Sequence, residues 1–423
     1  MIDLKELQEY ALHIAMGPFG SSIKKSTFVD EGIPIISGQH LHGAKLDEKG
    51  GFNFITREHA NKHSNSIVQR GDVVFTAYGT IGQVSFVPED SHYDEYIASQ
   101  RQFFLRPDPS KLDGKYLTYY FHSPSGRHLL LSNSSQVGVP SIASPTSFLR
   151  ELTFPIPSLK DQKAIAQILG TLDDKIELNQ KMNQTLEEIA KAIFKSWFVD
   201  FDPVRAKAEG RPTGLPPEIS DLFPDELVDS EIGEIPKGWS VLTLGEIVTP
   251  KKGKSITKKK VVEGSVPVVA GGLSPAYYHN TSNVKAPTVT ISASGANAGF
   301  ARLYNEDIWA SDCSYISEEQ TPFVFLWYVF LKIHQEKIYH MQQGAAQPHI
   351  YPSDLMRLQL AYPESDKLWR HALDLIAPMF LRIGNADKES VVLSEFRDTL
   401  LPKLISGELR IPDAEKFLEE AGI

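Results

Sequence analysis

Gly253-Lys254-Ser255 has the residue types that close a phosphate-binding loop. That loop also needs a glycine at position 248, where the chain must curl its N–H groups around a phosphate, and Val248 stands there. Gly295-Ala296-Asn297-Ala298-Gly299 is not a dinucleotide fingerprint, and no βαβ pattern follows it. Pro412-Asp413 with Glu415 and Lys416 has the residue types of a nuclease, but crowded onto one short tail instead of spread over separate strands. An adenine methyltransferase loop would read Asn/Asp-Pro-Pro-aromatic. The Pro216-Pro217 pair instead lies between Leu215 and Glu218, and no cofactor glycine loop accompanies it. His40, His42, His59 and His63 are near one another without metal-ligand spacing. No catalytic residue, cofactor or metal is therefore expected.

What remains is recognition chemistry. Net charge is −10, which argues against a generally basic coat but leaves room for a local patch. Lys251, Lys252 and Lys254, followed by Lys258, Lys259 and Lys260, form one. They are expected to contact nucleic-acid phosphates; the alternative is a solvated lysine loop. Polar residues around glycine turns are the candidates for reading bases. These are Gln39, His40, Thr76, Tyr78, Thr80 and Gln100 early in the chain, and Ser292, Ser294, Asn297, Gln342 and Gln343 later. Gln and Asn donate and accept on one adenine edge, while Tyr and Thr meet base edges or a thymine methyl. A glycine-bounded turn can enter a groove. The alternative is that such side chains bond only their own turns.

These candidates fall in two sets because the chain is written twice. Gly32-Ile33-Pro34-Ile35-Ile36-Ser37-Gly38 answers Gly264-Ser265-Val266-Pro267-Val268-Val269-Ala270-Gly271. The stretch from Val73 to Gly82 answers that from Val289 to Gly299. Ala98-Ser99-Gln100 answers Ala310-Ser311-Asp312; Leu117, Tyr119 and Phe121 answer Leu326, Tyr328 and Phe330; Pro140-Ser141-Ile142 answers Pro348-His349-Ile350. The order never breaks, and a period this long means a duplicated domain rather than a solenoid. Within each copy, apolar β-branched runs bounded by Gly and Pro predict short buried strands.

Each copy ends in a helical pattern. Ile165, Leu169, Leu172, Ile176, Leu186, Ile193 and Trp197 follow alternating steps of four and three, with Asn179, Asn183 and Ala190 at the remaining seam positions. This is a heptad seam with polar interruptions that set register. Leu373, Ile376, Phe380, Ile383, Leu393, Leu400 and Leu404 form a looser second seam. Each stripe needs a partner, and the nearest is the other. Asp202–Pro236, dense in proline, predicts an extended, stiff connector rather than a packed element. Ala414–Ile423 predicts a short amphipathic helix. A chain of 423 residues needs more than one core; 41% hydrophobic and 23% charged residues are ordinary for a soluble protein. The single cysteine, Cys313, fits a reducing cytoplasm. Met1–Tyr10 lacks a signal-peptide pattern. The longest apolar run, Phe323–Leu331, is far short of the ~20 residues that cross a bilayer.

Specific segments resemble a known family. Gly17-Pro18-Phe19-Gly20-Ser21, Gly32-Ile33-Pro34, Gly71-Asp72-Val73-Val74 and Gly79-Thr80-Ile81-Gly82-Gln83 resemble blocks of a type I target recognition domain. Pro155-Ile156-Pro157-Ser158-Leu159-Lys160-Asp161-Gln162, Leu172-Asp173-Asp174-Lys175-Ile176-Glu177-Leu178-Asn179 and the run from Ala192 to Val204 resemble the family's central conserved helix. Leu400-Leu401-Pro402-Lys403-Leu404-Ile405-Ser406-Gly407-Glu408-Leu409 closes the second helix in the family's manner. The second copy departs from the pattern: its turn is one residue longer, and Pro363-Glu364-Ser365-Asp366-Lys367 lacks Lys-Asp-Gln.

The chain thus resembles the specificity (S) subunit of a type I restriction–modification enzyme. The resemblance implies an α+β fold: two duplicated mixed α/β target recognition domains joined by two long helices forming an antiparallel coiled-coil spacer. Expected bounds are residues 1–157 and 237–363 for the recognition domains, 158–201 and 364–407 for the conserved helices, 202–236 for the linker and 408–423 for the tail. It implies that each domain reads one half of an asymmetric bipartite site in double-stranded DNA. Methyltransferase (M) subunits would dock on the helices, expected here at Ile165, Leu169, Leu172, Ile176, Ile376, Phe380 and Ile383, and restriction (R) subunits would join them. Catalysis would belong to those partners. The residues alone leave open a recognition subunit of another restriction class, an orphan DNA-binding regulator, or an enzyme with a hidden site.

Overall fold

The computed structural model describes residues 6–20, 22–344, 347–420 and 422. Ser21 of the opening motif, Met1–Lys5, Ala421 and Ile423 lie outside the described residues. The chain divides into two compact units, Met1–Glu177 with Ser390–Ile423, and Leu178–Glu389.

In the first unit the strands are β1 (Ala11–Met16), β2 (Ile33–Ile36), β3 (Phe54–Ile55), β4 (Ile67–Gln69), β5 (Val73–Thr76), β6 (Val84–Phe86), β7 (Glu95–Ala98) and β8 (Gln102–Pro107), with α1 (Arg57–Asn61) after β3. One antiparallel sheet has the order β1-β8-β5-β6; a second has the order β3-β2-β7-β4, with β2 and β7 parallel. Then come α2 (Gly114–His122), α3 (Pro124–Leu131), the pair β9 (Ser134–Ser135) and β10 (Ser141–Ile142), α4 (Pro145–Glu151) and the long α5 (Leu159–Phe198). The helix starts follow local chemistry. Asp113 accepts the Tyr116 N–H, Ser123 accepts the Gly126 N–H ahead of Pro124, and Ser158 Oγ accepts the Asp161 N–H at 3.2 Å.

The second unit continues with α6 (Asp202–Ala208), α7 (Pro217–Ser220), β11 (Leu227–Ser230), β12 (Gly233–Pro236), β13 (Ser240–Thr243), α8 (Leu244–Ile247), β14 (Lys251–Lys252), β15 (Val266–Val269), β16 (Tyr277–His279), β17 (Thr288–Ser292), β18 (Ala301–Tyr304), β19 (Trp309–Ala310) and β20 (Cys313–Ser317). It ends with α9 (Val324–Ile333), α10 (Gln335–His340), α11 (Pro352–Leu355), β21 (Gln359–Tyr362) and the start of α12 (Lys367–Ser406). The sheet order β14-β20-β17-β18 repeats β1-β8-β5-β6 strand for strand. The order β16-β15-β19 repeats β3-β2-β7, including the parallel pair. The apolar run Phe323–Leu331 is a helix buried on all sides, α9, with Trp327 and Leu331 fully enclosed.

Within each unit α5 and α12 pack antiparallel. In the first, Asp173 meets Arg397, while Ile165, Leu169, Leu172, Leu393, Leu400 and Leu404 share one core. In the second, Asn183 Nδ2 donates to Asp387 at 2.7 Å, and Trp369 packs on Phe198. Asn179 is buried and donates to the Ala386 carbonyl and to Glu389, so the polar seam position is satisfied. The first unit is completed by α13 (Ile411–Glu420), which buries Ala414 and Leu418.

The stretch 202–236 is not the extended connector its prolines predict. Val204, Ile219, Phe223 and Ile235 are buried in the second unit's core, where Trp197 packs on Phe223 and Phe201 on Trp239. Pro203 and Pro217 instead open short helices, where a missing N–H costs nothing.

Candidate nucleic-acid interface

The two glycine turns are built alike. The first joins β5 to β6, with Gly79 at φ +93° and Gly82 at φ +87°; the second joins β17 to β18, with Gly295 at +82° and Gly299 at +86°. These left-handed values suit glycine, because a Cβ would crowd the backbone. Both turns are tied from below by the same backbone bonds. Gly79 N–H donates to Pro140 O at 2.9 Å and Gly295 N–H to Pro348 O at 3.0 Å; Ile142 N–H donates to Ala77 O and Ile350 N–H to Ala293 O. Ala77 N–H reaches Arg101 O, and Ala293 N–H reaches Asp312 O. The repeat segments that match in sequence thus converge on one turn in each unit.

The candidate side chains separate by what they already hold. Thr76 is buried and donates to Gln83 Oε1 at 3.0 Å; Gln83 Nε2 donates to Gly38 O at 3.1 Å. Ser292, also buried, donates to Gly271 O at 3.1 Å, so each unit ties its turn to the matching glycine carbonyl. Ser294 Oγ bonds the Asp312 carboxylate. Gln342 Nε2 donates to Ala298 O at 2.7 Å, and Gln343 Nε2 to Asp354 Oδ1 at 3.0 Å. His40 is buried against Phe52; its Nδ1 accepts the Ser37 N–H at 3.0 Å, which leaves Nε2–H to donate to Gly51 O. Burial lowers its pKa, so the ring is held neutral. Gln39 Nε2 reaches Gly51 O at 3.4 Å.

A smaller set has side chains not spent on internal hydrogen bonds among the described residues. Thr80 and Gln100 are exposed, and Tyr78 and Asn297 half-buried. Thr80 borders a polar cleft of about 570 Å³ whose wall includes His42, Gln83, His122 and Arg127. A Cβ on Gly82 would come within 3.6 Å of the Arg127 guanidinium, whereas one on Gly299 would meet Ile338 and Tyr339. The first turn is therefore backed by Leu131 and the Arg127 guanidinium, and the second by Ile338 and Tyr339. Arg127 carried no signal in the sequence, because α3 reaches the turn only through the fold.

Lys252 and Lys254 are exposed, while Lys251 pairs with Glu319 at 3.2 Å. Ile165, Leu169, Leu172, Ile376 and Phe380 are shut in the chain's own cores, with Ile176 and Ile383 half-buried beside them. Another chain docking on α5 and α12 would meet other residues. Among the described residues no group of three His, Cys, Asp or Glu is placed to hold a metal, and no helix is long and apolar enough to cross a membrane.

A family model described as the type I restriction modification DNA specificity domain matches residues 19–188 and 236–372. The MjaIX specificity subunit of a type I restriction enzyme from Methanocaldococcus jannaschii is 26% identical over 384 residues, covering 85% of this chain and 82% of that protein. The HindI specificity subunit from Haemophilus influenzae is 25% identical over 413 residues, covering 81% and 87%. The crystal structure of a type I restriction–modification S subunit from M. genitalium superposes with a TM-score of 0.60 over 95% of each chain at 19% identity, a likeness of fold.

Proposed function

The chain belongs to the type I restriction–modification DNA specificity domain family, and from that premise we propose that its two units each read one half of an asymmetric, bipartite site in double-stranded DNA. A DNA specificity role follows from membership, and the relatives are specificity subunits, a non-catalytic class. In this reading the recognition domains are residues 1–157 and 237–363. Methyl transfer and cleavage fall to M and R subunits that assemble on the chain. Exposed apolar side chains on the long helices, Leu178, Leu375, Leu381, Val391 and Val392, support docking there.

The observation that carries the reading is one turn architecture used twice with different free side chains. The first turn presents Thr80, and the second Asn297. Matching anchor bonds beneath tips that differ in length and side chain are what two readers of unlike half-sites require. The test is binding of the full chain, assembled with its methyltransferase subunits, to a DNA library randomised in both half-sites. Thr80→Val is expected to relax preference in one half-site only, and Asn297→Ala in the other, each losing about 1–3 kcal/mol of discrimination. Relaxation of both half-sites by either substitution contradicts the assignment.

A further inference from the structure

Each unit carries a second matched turn, built before the parallel strand pair rather than at the glycine hairpin. In the first unit it is the 3-10 turn Lys25–Thr27, and in the second Lys258–Lys260. The backbone bonds coincide. Thr27 N–H donates to Lys24 O at 2.8 Å and Lys260 N–H to Thr257 O at 2.8 Å; Phe28 N–H donates to Lys25 O at 3.2 Å and Val261 N–H to Lys258 O at 3.3 Å. Both segments leave their edge strand through a glycine pressed onto the backbone of the adjacent segment. A Cβ on Gly17 would lie 1.9 Å from Ser99 O, and one on Gly253 2.4 Å from Ser311 O. Both are pinned further along. His59 Nε2 donates to Ser22 O at 2.8 Å in the first, and Trp309 Nε1 donates to Lys254 O at 2.8 Å in the second.

Little of the side-chain sequence matches between these segments, yet both carry exposed lysines at the turn. Lys24 and Lys25 stand on the first and Lys258, Lys259 and Lys260 on the second, with Lys25 and Lys258 at the same turn position. Among the described residues none of them has an acidic partner. Lys251 is paired to Glu319, so it is a weaker candidate for an external anion. In a chain of net charge −10, unpaired ammonium groups held by a fixed backbone at one place in both units mark a built anion-facing feature.

We propose that these two turns are matching DNA-phosphate clamps, one per unit, with Lys24 and Lys25 gripping the backbone beside one half-site and Lys258–Lys260 beside the other. The proposal rests on the reading of both units as DNA readers. Phosphate contacts carry no base information, so the clamps position each unit and leave sequence preference to the glycine turns.

The experiment titrates the full chain, in its assembled complex, with a duplex bearing its site and a duplex without it, over a series of salt concentrations. Lys24→Ala with Lys25→Ala, and separately Lys258→Ala, Lys259→Ala and Lys260→Ala, are compared with Lys285→Ala, an exposed lysine already paired to Asp307. Each clamp variant is expected to flatten the slope of log affinity against log salt by about 0.9 per lysine removed. Both duplexes should weaken by the same factor, and Lys285→Ala should change neither. Unchanged slopes in the clamp variants, an equal change in Lys285→Ala, or weakening confined to the specific duplex overturns the proposal. An unsubstituted complex that binds neither duplex overturns the DNA-reading premise instead.

Discussion

Tyr119 and Tyr328 occupy matching places in the repeat, and each donates its phenol to a carboxylate on α5. Tyr119 bonds Asp173 at 2.6 Å, and Tyr328 bonds Glu187 at 3.2 Å. Burial, and then the adjoining carboxylate, raises both phenols well above the ordinary tyrosine range, so both remain donors. Asp173 also accepts from Arg397, which makes the first contact part of a three-residue network across α2, α5 and α12. Tyr119→Phe is expected to destabilise the protein by about 1.5–3 kcal/mol, the scale for a bond to a charged group. Tyr328→Phe, with the longer bond, should cost less. Denaturant midpoints measure both; a neutral Tyr119→Phe, or a larger loss at Tyr328, contradicts this ranking. The repeat made the pairing of these tyrosines legible, but not their partners, which lie on an element distant in sequence. The same gap in information separates Thr80 and Asn297 from Thr76 and Ser292. All are small polar residues near glycine turns, and only the fold shows that the last two are buried and hydrogen-bonded.

The long helices were the most readable elements, because a heptad period survives polar interruptions. Leu169 and Leu172 are fully buried as the spacing requires, and Asn179 sits in the seam with its amide satisfied. The period drifts where aromatic residues take over: Phe194 is buried and Ile193, the seam position, is only half so. Proline density misled at 202–236, since proline starts helices as readily as it extends chains, and only burial of Val204 and Phe223 separates the two. A pair of substitutions tests the helix faces. Leu169→Ala is expected to cost about 2–5 kcal/mol through the cavity it leaves. Leu381→Ser, at a position 53% exposed, should stay within about 0.5 kcal/mol. Thermal or denaturant unfolding decides; equal effects would mean that the buried face has been misassigned.

At the scale of the molecule, one fold is used twice with its sheet orders preserved and its turn tips changed. A duplication under selection for a palindromic target would keep the tips alike. The unlike tips, Thr80 in one unit and Asn297 in the other, are what the proposed asymmetric target requires. As a member of the specificity family, this chain is expected to set the DNA sequence on which a type I restriction–modification system acts. The most direct measurement is single-molecule sequencing of the methylome in cells carrying the system, with and without this gene. The DNA-specificity role predicts that removing the gene abolishes methylation at one asymmetric motif, made of two defined parts separated by a constant number of undefined bases. An unchanged methylome, or loss at a continuous or palindromic motif, contradicts it.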